Sequence, residues 1–204
     1  MFHLLLASAS PRRRSLLELV GFSVEVAPVD VDESLVEGER GDDAAERIAR
    51  CKAEASIAAG PGADHEVVAG IAADTVVWMD DEVLGKPTDA ADAVRMLGRL
   101  SGVEHRVTTG WAIWSPTGAF EPRYGRTTTR VAFRTLSDDD IAHYVATGEP
   151  LDKAGAYGIQ GRASLFVDHI VGDWSNVVGL PVGDIVQTLR DAGALGRLPF
   201  GGAK

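Results

Sequence analysis

One cysteine, Cys51, is all that 204 residues contain, which excludes an internal disulfide framework and any zinc site built from several thiolates. Such sparing use of cysteine suits a reducing compartment. Long apolar runs are also missing, and none reaches the ~18 residues that a membrane-spanning helix needs. Ala7-Ser8-Ala9 mimics a cleavage site, but the apolar run that ends there, Phe2–Ala7, is too short for a signal-peptide core. Its arginines also follow the run instead of preceding it. We read this segment as a first strand and expect a cytoplasmic protein.

Positive charge is in the minority, with 20 Lys and Arg against 30 Asp and Glu, a net of −10. So acidic a chain lacks the basic face that duplex nucleic acid demands, although one local cationic pocket for a small anion is compatible with it. Trp78, Trp111, Trp114 and Trp174 have no basic interleaving, so a base-stacking platform is not expected. The histidines, at 3, 65, 105, 143 and 169, show no metal-ligand spacing. A Gly-x-Ser-x-Gly elbow, a Walker A loop and the Rossmann glycine spacing are all absent.

What is present is an ordinary globular composition, 45% hydrophobic and 25% charged. The length suits a single domain, 1–204, with residues 197–204 as a flexible tail. His3–Ala7 has strand length; Ser10-Pro11 then supplies an N-cap and a first-turn proline for a helix ending at Gly21. Asp42 or Asp43 caps a helix to about Ala59, stopped by Gly60-Pro61-Gly62. The apolar run Val67–Met79 turns at Asp80-Asp81 and returns to Leu84, and Thr88 or Asp89 starts a helix to Leu100. Arg106–Trp114 and Arg126–Phe133 read as strands joined across Ser115-Pro116-Thr117-Gly118. Ser137-x-x-Asp140 is a capping box, Leu165–Val171 a strand, and Val182–Asp191 the last helix. Helices and strands interleave while the long hairpin breaks strict βαβ order, so the expectation is α/β with a mixed sheet. The loops around 80–88 and 148–161 are the candidate hinge.

Several residues are out of place unless they carry chemistry. Ser8-Ala9-Ser10-Pro11-Arg12-Arg13-Arg14 puts three arginines in a helix first turn, against the macrodipole. An arriving phosphate resolves that conflict; so does pairing with the chain's many carboxylates. Asp74, inside an apolar run, costs several kcal/mol to bury unpaired. A general base, a metal ligand and a structural carboxylate hydrogen-bonded to a turn all answer that cost. Asp30, Asp32 and Glu33 offer hard oxygen ligands for Mg²⁺, or simply a solvated strand end. Lys52 shares a helical face with Ala45, Ile48, Ala49 and Ala55, either snorkelling or aimed at a partner. Lys86, between Gly85 and Pro87, is a point charge for phosphate or a plain turn lysine. In the glycine-rich loop Asp152–Gly161, Gln160 offers both a donor and an acceptor for a base edge.

In order, Leu6-Ala7-Ser8-Ala9-Ser10-Pro11-Arg12-Arg13, Asp30-Val31-Asp32-Glu33, Lys52-Ala53, Ala73-Asp74-Thr75-Val76-Val77, Leu84-Gly85-Lys86-Pro87, Leu100-Ser101-Gly102, Asp152–Gly161 and Asn176-Val177-Val178-Gly179-Leu180-Pro181 resemble the Maf family, from about Leu5 to Leu189. Maf proteins were named septum formation inhibitors and act as nucleoside triphosphate pyrophosphatases. The resemblance implies a two-lobed α/β fold with a mixed sheet, flanking helices and a central cleft, similar to the inosine triphosphate pyrophosphatases. It implies Asp74 as proton acceptor; Ser8, Arg12, Arg13, Lys52 and Lys86 on phosphate; and Glu33 in metal binding and catalysis. Asp74 would share the metal, Mg²⁺ or Mn²⁺, and Lys86 would assist catalysis. Arg12, Thr75 and Gln160 match the positions that separate the dTTP/UTP branch from the 7-methyl-GTP branch. A neutral pyrimidine suits the amide of Gln160, whereas a cationic methylated guanine favours carboxylate and aromatic partners.

The implied reaction is hydrolysis between the α and β phosphates to nucleoside monophosphate and pyrophosphate. The alternatives are a 7-methyl-GTP or other nucleotide preference, and a non-catalytic nucleotide-binding regulator that contacts a cell-division protein. The resemblance also suggests a homodimer. Two departures stand out: Asp80-Asp81 replaces a glycine-containing turn, and Trp174-Ser175 replaces the usual aromatic pair. Local hairpin shape near Asp74 is therefore expected to differ.

Overall fold

The structure, a computed structural model, describes residues 2–60 and 67–200. In chain order the elements are β1 (His3–Leu6), α1 (Pro11–Leu19), β2 (Ser23–Val26), α2 (Gly41–Ala58), β3 (Val67–Met79), β4 (Glu82–Leu84) and α3 (Ala90–Leu100). Then follow β5 (Glu104–Trp114), β6 (Arg123–Phe133), α4 (Asp138–Ala146), β7 (Val167–Val171), α5 (Trp174–Val178) and α6 (Val182–Asp191). Among the described residues the seven strands form one sheet ordered β2-β1-β3-β5-β6-β7, with β4 also on β3. β1 runs parallel to β2 and β3, and the other pairings are antiparallel, so the sheet is mixed as expected.

The strand β3 is long because both faces of the sheet are covered there, so nearly every position can be apolar. Its odd residues Ala69, Ile71, Ala73 and Val77 join the main core with Leu4, Leu6, Leu17, Leu97, Ile113 and Ile185. Its even residues Ala72, Val76 and Trp78 pack on the other face, where α2 lies. Each fully buried leucine or isoleucine contributes roughly 1.5–3 kcal/mol. The approach of α2 is set by Gly110 of β5, where an added Cβ would lie 2.1 Å from the Ala45 carbonyl oxygen. Gly110 is also the cross-strand partner of Asp74.

Local signals predict most boundaries. Ser10 caps α1 by accepting from the Arg13 N–H, Asp89 caps α3, and Ser137 with Asp140 forms the full capping box of α4. α2 begins earlier than its acidic pair suggests. Arg40 is its N-cap, and Asp42 and Asp43 lie in the first turn, where they pair with Arg40 and Arg126. Gly41 starts the helix against Trp78, where any Cβ would clash at 2.6 Å. The helix reaches its C-cap at Ala59, and Gly60 turns with φ 82; Pro61 and Gly62 of the expected stop lie outside the described residues. β5 and β6 begin two and three residues before the expected strands, and β7 two residues after, behind a 3-10 turn at Arg162–Leu165. α5 has no sequence counterpart, because five residues are too few to show a helical period. Asp80 replaces the turn glycine with φ 54, the left-handed region that Asp tolerates better than most residues. Of the expected tail, Pro199 is buried and Phe200 exposed; residues 201–204 lie outside the described residues.

His105 is structural. It is buried, its Nε2 is 2.8 Å from the Tyr157 hydroxyl, and its ring meets Phe133 and Tyr157 edge-on. Burial pushes its pKa from 6.5 down to about 4. An unfolded chain therefore binds this proton before the folded one does, and stability contributed by the neutral ring is lost as pH falls between those two values. Unfolding free energies measured across that window should fall by more in the native protein than in His105→Gln, which keeps a polar partner for Tyr157. Parallel pH profiles would remove His105 from the acid response.

Candidate active site

The cleft follows from an interruption along one edge of β3. On that edge β1 pairs only as far as Ile71, and β4 begins opposite Val77. Ala72–Val76 between them have no strand partner there among the described residues, so the peptide edge and the side chains of Asp74 and Thr75 open to a cavity of about 930 Å³. The chain leaves β1 on one side of the gap through Ser8–Arg13 and leaves β4 on the other through Gly85–Lys86. Two separate stretches of sequence are thereby brought to the same opening. Ser8, Arg12, Arg13, Glu33, Lys52, Asp74, Thr75, Lys86 and Gln160 line this one cavity, whereas Arg14, Asp30 and Asp32, also singled out from the sequence, do not.

Alternation along β3 sends Asp74 and Thr75 to opposite faces. On the α2 face the apolar stripe Ala45, Ile48, Ala49 carries Lys52 against the sheet, leaving it 6% exposed. Its Nζ donates to Asp74 Oδ1 at 2.7 Å and pairs with Glu33 Oε1 at 2.5 Å. One buried ammonium thus gathers two carboxylates from a loop and a strand. Among the described residues no donor occupies Asp74 Oδ2.

On the other face Arg13 is buried, yet no carboxylate bonds it. Its Nε donates to the Gly179 carbonyl at 2.8 Å, Nη1 to Ser8 Oγ at 3.0 Å and Nη2 to Thr75 Oγ1 at 3.0 Å. Burial pushes its pKa down, with the nearby Asp74 charge acting against that. The polar chain continues inward: Thr75 Oγ1 lies 2.9 Å from Thr109 Oγ1, which donates to the Asn176 carbonyl at 3.0 Å. A hydroxyl has one proton, and with that of Thr109 on Asn176 the shorter Thr75–Thr109 contact takes the proton of Thr75, in preference to the Gly179 carbonyl at 3.4 Å. Asn176 is fully buried and completes it, accepting from Thr109 N–H and donating to Val107 O and Thr129 Oγ1.

The rim is wetter. Arg12 is 3.8 Å from Asp152, whose carboxyl Lys153, ahead of Arg12, holds below the usual carboxylate range. Lys86 is exposed and has no carboxylate partner among the described residues. Gln160 is exposed at the cavity edge. Arg14, the third arginine of the first turn, instead pairs with Glu18 on the surface. Thr109, Glu149 and Lys153 carry no signal in the sequence: the first reads as an ordinary β-branched strand residue, and the others as loop charges.

Among the described residues no group of three or more His, Cys, Asp or Glu side chains is set to hold a metal, and no helix is long and apolar enough to cross a membrane. The pair Glu33 and Asp74 nevertheless suits a hard cation of the kind that takes one or two protein carboxylates and fills its other positions with water and phosphate oxygens.

Arginine and lysine on both sides of a carboxylate pair, in a break of a mixed sheet, make a site for a polyanionic ligand. The chain belongs to the Maf family: the family described as Maf-like protein matches residues 3–192. A dTTP/UTP pyrophosphatase of Geotalea uraniireducens (strain Rf4) is 47% identical over 95% of this chain and 96% of its own length. Another of that name, from Anaeromyxobacter dehalogenans (strain 2CP-C), is 49% identical over 93% of this chain and 94% of its own. Among solved structures, the Staphylococcus aureus Ham1 protein aligns over 94% of this chain and 99% of its own at 14% identity, with a TM-score of 0.49.

Proposed function

We propose that this protein is a nucleoside triphosphate pyrophosphatase that converts dTTP and UTP to the monophosphate and pyrophosphate. The observation that carries the reading is Asp74: one carboxylate oxygen is held by buried Lys52, and the other faces a cavity ringed by cations. Relatives at 46–49% identity over nearly the whole chain bear the name dTTP/UTP pyrophosphatase.

In this reading the triphosphate lies along the gap in β3. Asp74 Oδ2 orients a water and takes its proton as the oxygen attacks the α phosphorus. The new P–O bond forms as the bond from the α phosphorus to the bridging oxygen breaks, and pyrophosphate leaves with that electron pair. Lys86 and Arg12 meet the departing charge, assisted by the Arg12 N–H, the one first-turn amide of α1 left without a partner among the described residues after Pro11 and the Ser10 cap. Arg13 and Ser8, already bonded to each other, form the phosphate-facing wall between them. Mg²⁺ or Mn²⁺ held by Glu33 with Asp74 would neutralise charge on the triphosphate. Gln160 meets the pyrimidine edge from the far rim, and Thr75 the side nearer the sheet.

The test offers dTTP, UTP, CTP, GTP and 7-methyl-GTP with Mg²⁺ and, separately, Mn²⁺, and measures pyrophosphate apart from orthophosphate. Pyrophosphate release led by dTTP and UTP is the expected result. Orthophosphate as product would put the attack at a different phosphorus, and turnover led by 7-methyl-GTP would overturn the base assignment. Nucleotide bound without turnover would make the protein a binding regulator.

A further inference from the structure

Gln160 sits in a turn whose two ends are both pressed by side chains from one short segment. The turn is Gly158-Ile159-Gln160-Gly161, closed by the Gly161 N–H donating to Gly158 O at 2.9 Å. Ile159 is buried in the core and Gln160 faces out, so the turn has one anchored and one working residue. The segment against it is the 3-10 turn Glu149–Asp152, which continues α4, together with Lys153. Glu149 Oε1 accepts from the Tyr144 hydroxyl of α4 at 3.1 Å, and Oε2 accepts from the Arg162 N–H at 3.2 Å. Between those bonds the carboxylate lies flat on Gly161, where an added Cβ would be 2.1 Å from Oε1. Lys153 does the same at the other end: its stem would meet a Cβ on Gly158 at 2.8 Å, and its Nζ donates to the Glu149 carbonyl at 2.6 Å.

We propose that Glu149 is a positioning residue for base selection, holding the Gly158–Gly161 turn so that Gln160 meets the substrate from one place. The inference rests on the reading of Gln160 as the group that faces the base. Uracil and thymine present an N3–H donor beside a C4 carbonyl, whereas cytosine presents an N3 acceptor beside an amino group. A side-chain amide can satisfy either edge by turning over, so the amide alone discriminates weakly. A fixed backbone leaves the amide free to turn over but sets its distance and angle to the base edge, so a shifted turn weakens the preference that this placement gives. Arg162 N–H and Gly161 give Glu149 two contacts on the backbone at the end of that turn, and the Tyr144 hydroxyl ties the same carboxylate to α4.

The experiment compares kcat/KM for UTP with that for CTP in the full-length protein. Glu149→Ala is expected to lower the UTP preference about tenfold, the worth of one hydrogen bond, through KM with kcat held within about twofold. Glu149→Gln should keep the native preference, since its amide oxygen can accept from Arg162 N–H while its NH₂ donates to the Tyr144 oxygen. Gly161→Ala, which displaces the carboxylate without altering it, should reproduce the Glu149→Ala shift and covers the case in which Glu149→Ala does not fold. Gln160→Ala should lose the preference by itself, and adding Glu149→Ala to it should change nothing more. An unchanged UTP preference in Glu149→Ala and Gly161→Ala, alongside its loss in Gln160→Ala, would overturn the role of Glu149 and leave the reading of Gln160 standing. Retention of the preference in Gln160→Ala would overturn that reading, and the role of Glu149 with it.

Discussion

Asp74→Asn is expected to lower turnover of UTP by about 10³-fold, within the range typical of a lost general base, while nucleotide binding changes severalfold at most. The substitution is close to isosteric. The asparagine oxygen can still accept from Lys52 Nζ, as Asp74 Oδ1 does at 2.7 Å, and Lys52 retains Glu33. What disappears is the second oxygen, the one that faces the cavity and can accept a proton from water. Because Gly110 is the cross-strand neighbour, no other side chain on β5 is beside Asp74 to take over. Pyrophosphate release gives the turnover, and calorimetric titration with nucleotide gives the affinity. Full turnover in the variant would remove Asp74 from the reaction; equal losses in turnover and affinity would make it a binding group only.

The sequence already marks Asp74 and Lys52 as anomalies, and the structure joins them for one reason. A carboxylate in an apolar strand and an ammonium on an apolar helix face each need a partner out of water, and a helix packed on a sheet brings such residues together. The same logic makes α1 legible, with its serine cap, first-turn proline and crowded arginines. Hidden from the sequence is the division of labour among those arginines. Arg13 is buried against the neutral acceptors Ser8, Thr75 and Gly179, Arg12 stays at the rim, and Arg14 turns away to Glu18. That sorting follows from a helical step of 100° per residue combined with the position of β3, which only the assembled fold supplies. The gap in the sheet edge is hidden for the same reason: nothing in Val67–Met79 says where β1 stops and β4 starts. Glu149 is the extreme case, since its contacts are with Tyr144 and Gly161, in a loop that carries no periodicity.

Lys52→Met should damage both stability and activity, and a second substitution should separate the two. Methionine keeps most of the apolar stem that packs between α2 and the sheet, so the change removes little besides the ammonium. Asp74 and Glu33 then lose the ammonium bonded to both, leaving only the more distant Arg13, and Asp74, whose side chain is only 14% exposed, is the more costly of the two to leave charged. Breaking such a pair from one side costs about 3–5 kcal/mol when both partners are buried. Glu33, with 55% of its side chain exposed, can turn to water, which puts the expected loss toward the lower figure. Turnover should fall by about 10²-fold or more, because an electrostatic contact close to the reacting phosphate is lost along with the orientation of Asp74. Adding Asp74→Asn to Lys52→Met removes the uncompensated charge, so denaturant unfolding should show most of the stability returning while pyrophosphate release does not. If the double variant were no more stable than Lys52→Met, the cost would lie in packing along α2 and not in the stranded carboxylate. If it regained turnover, Asp74 could not be the group that receives the water's proton.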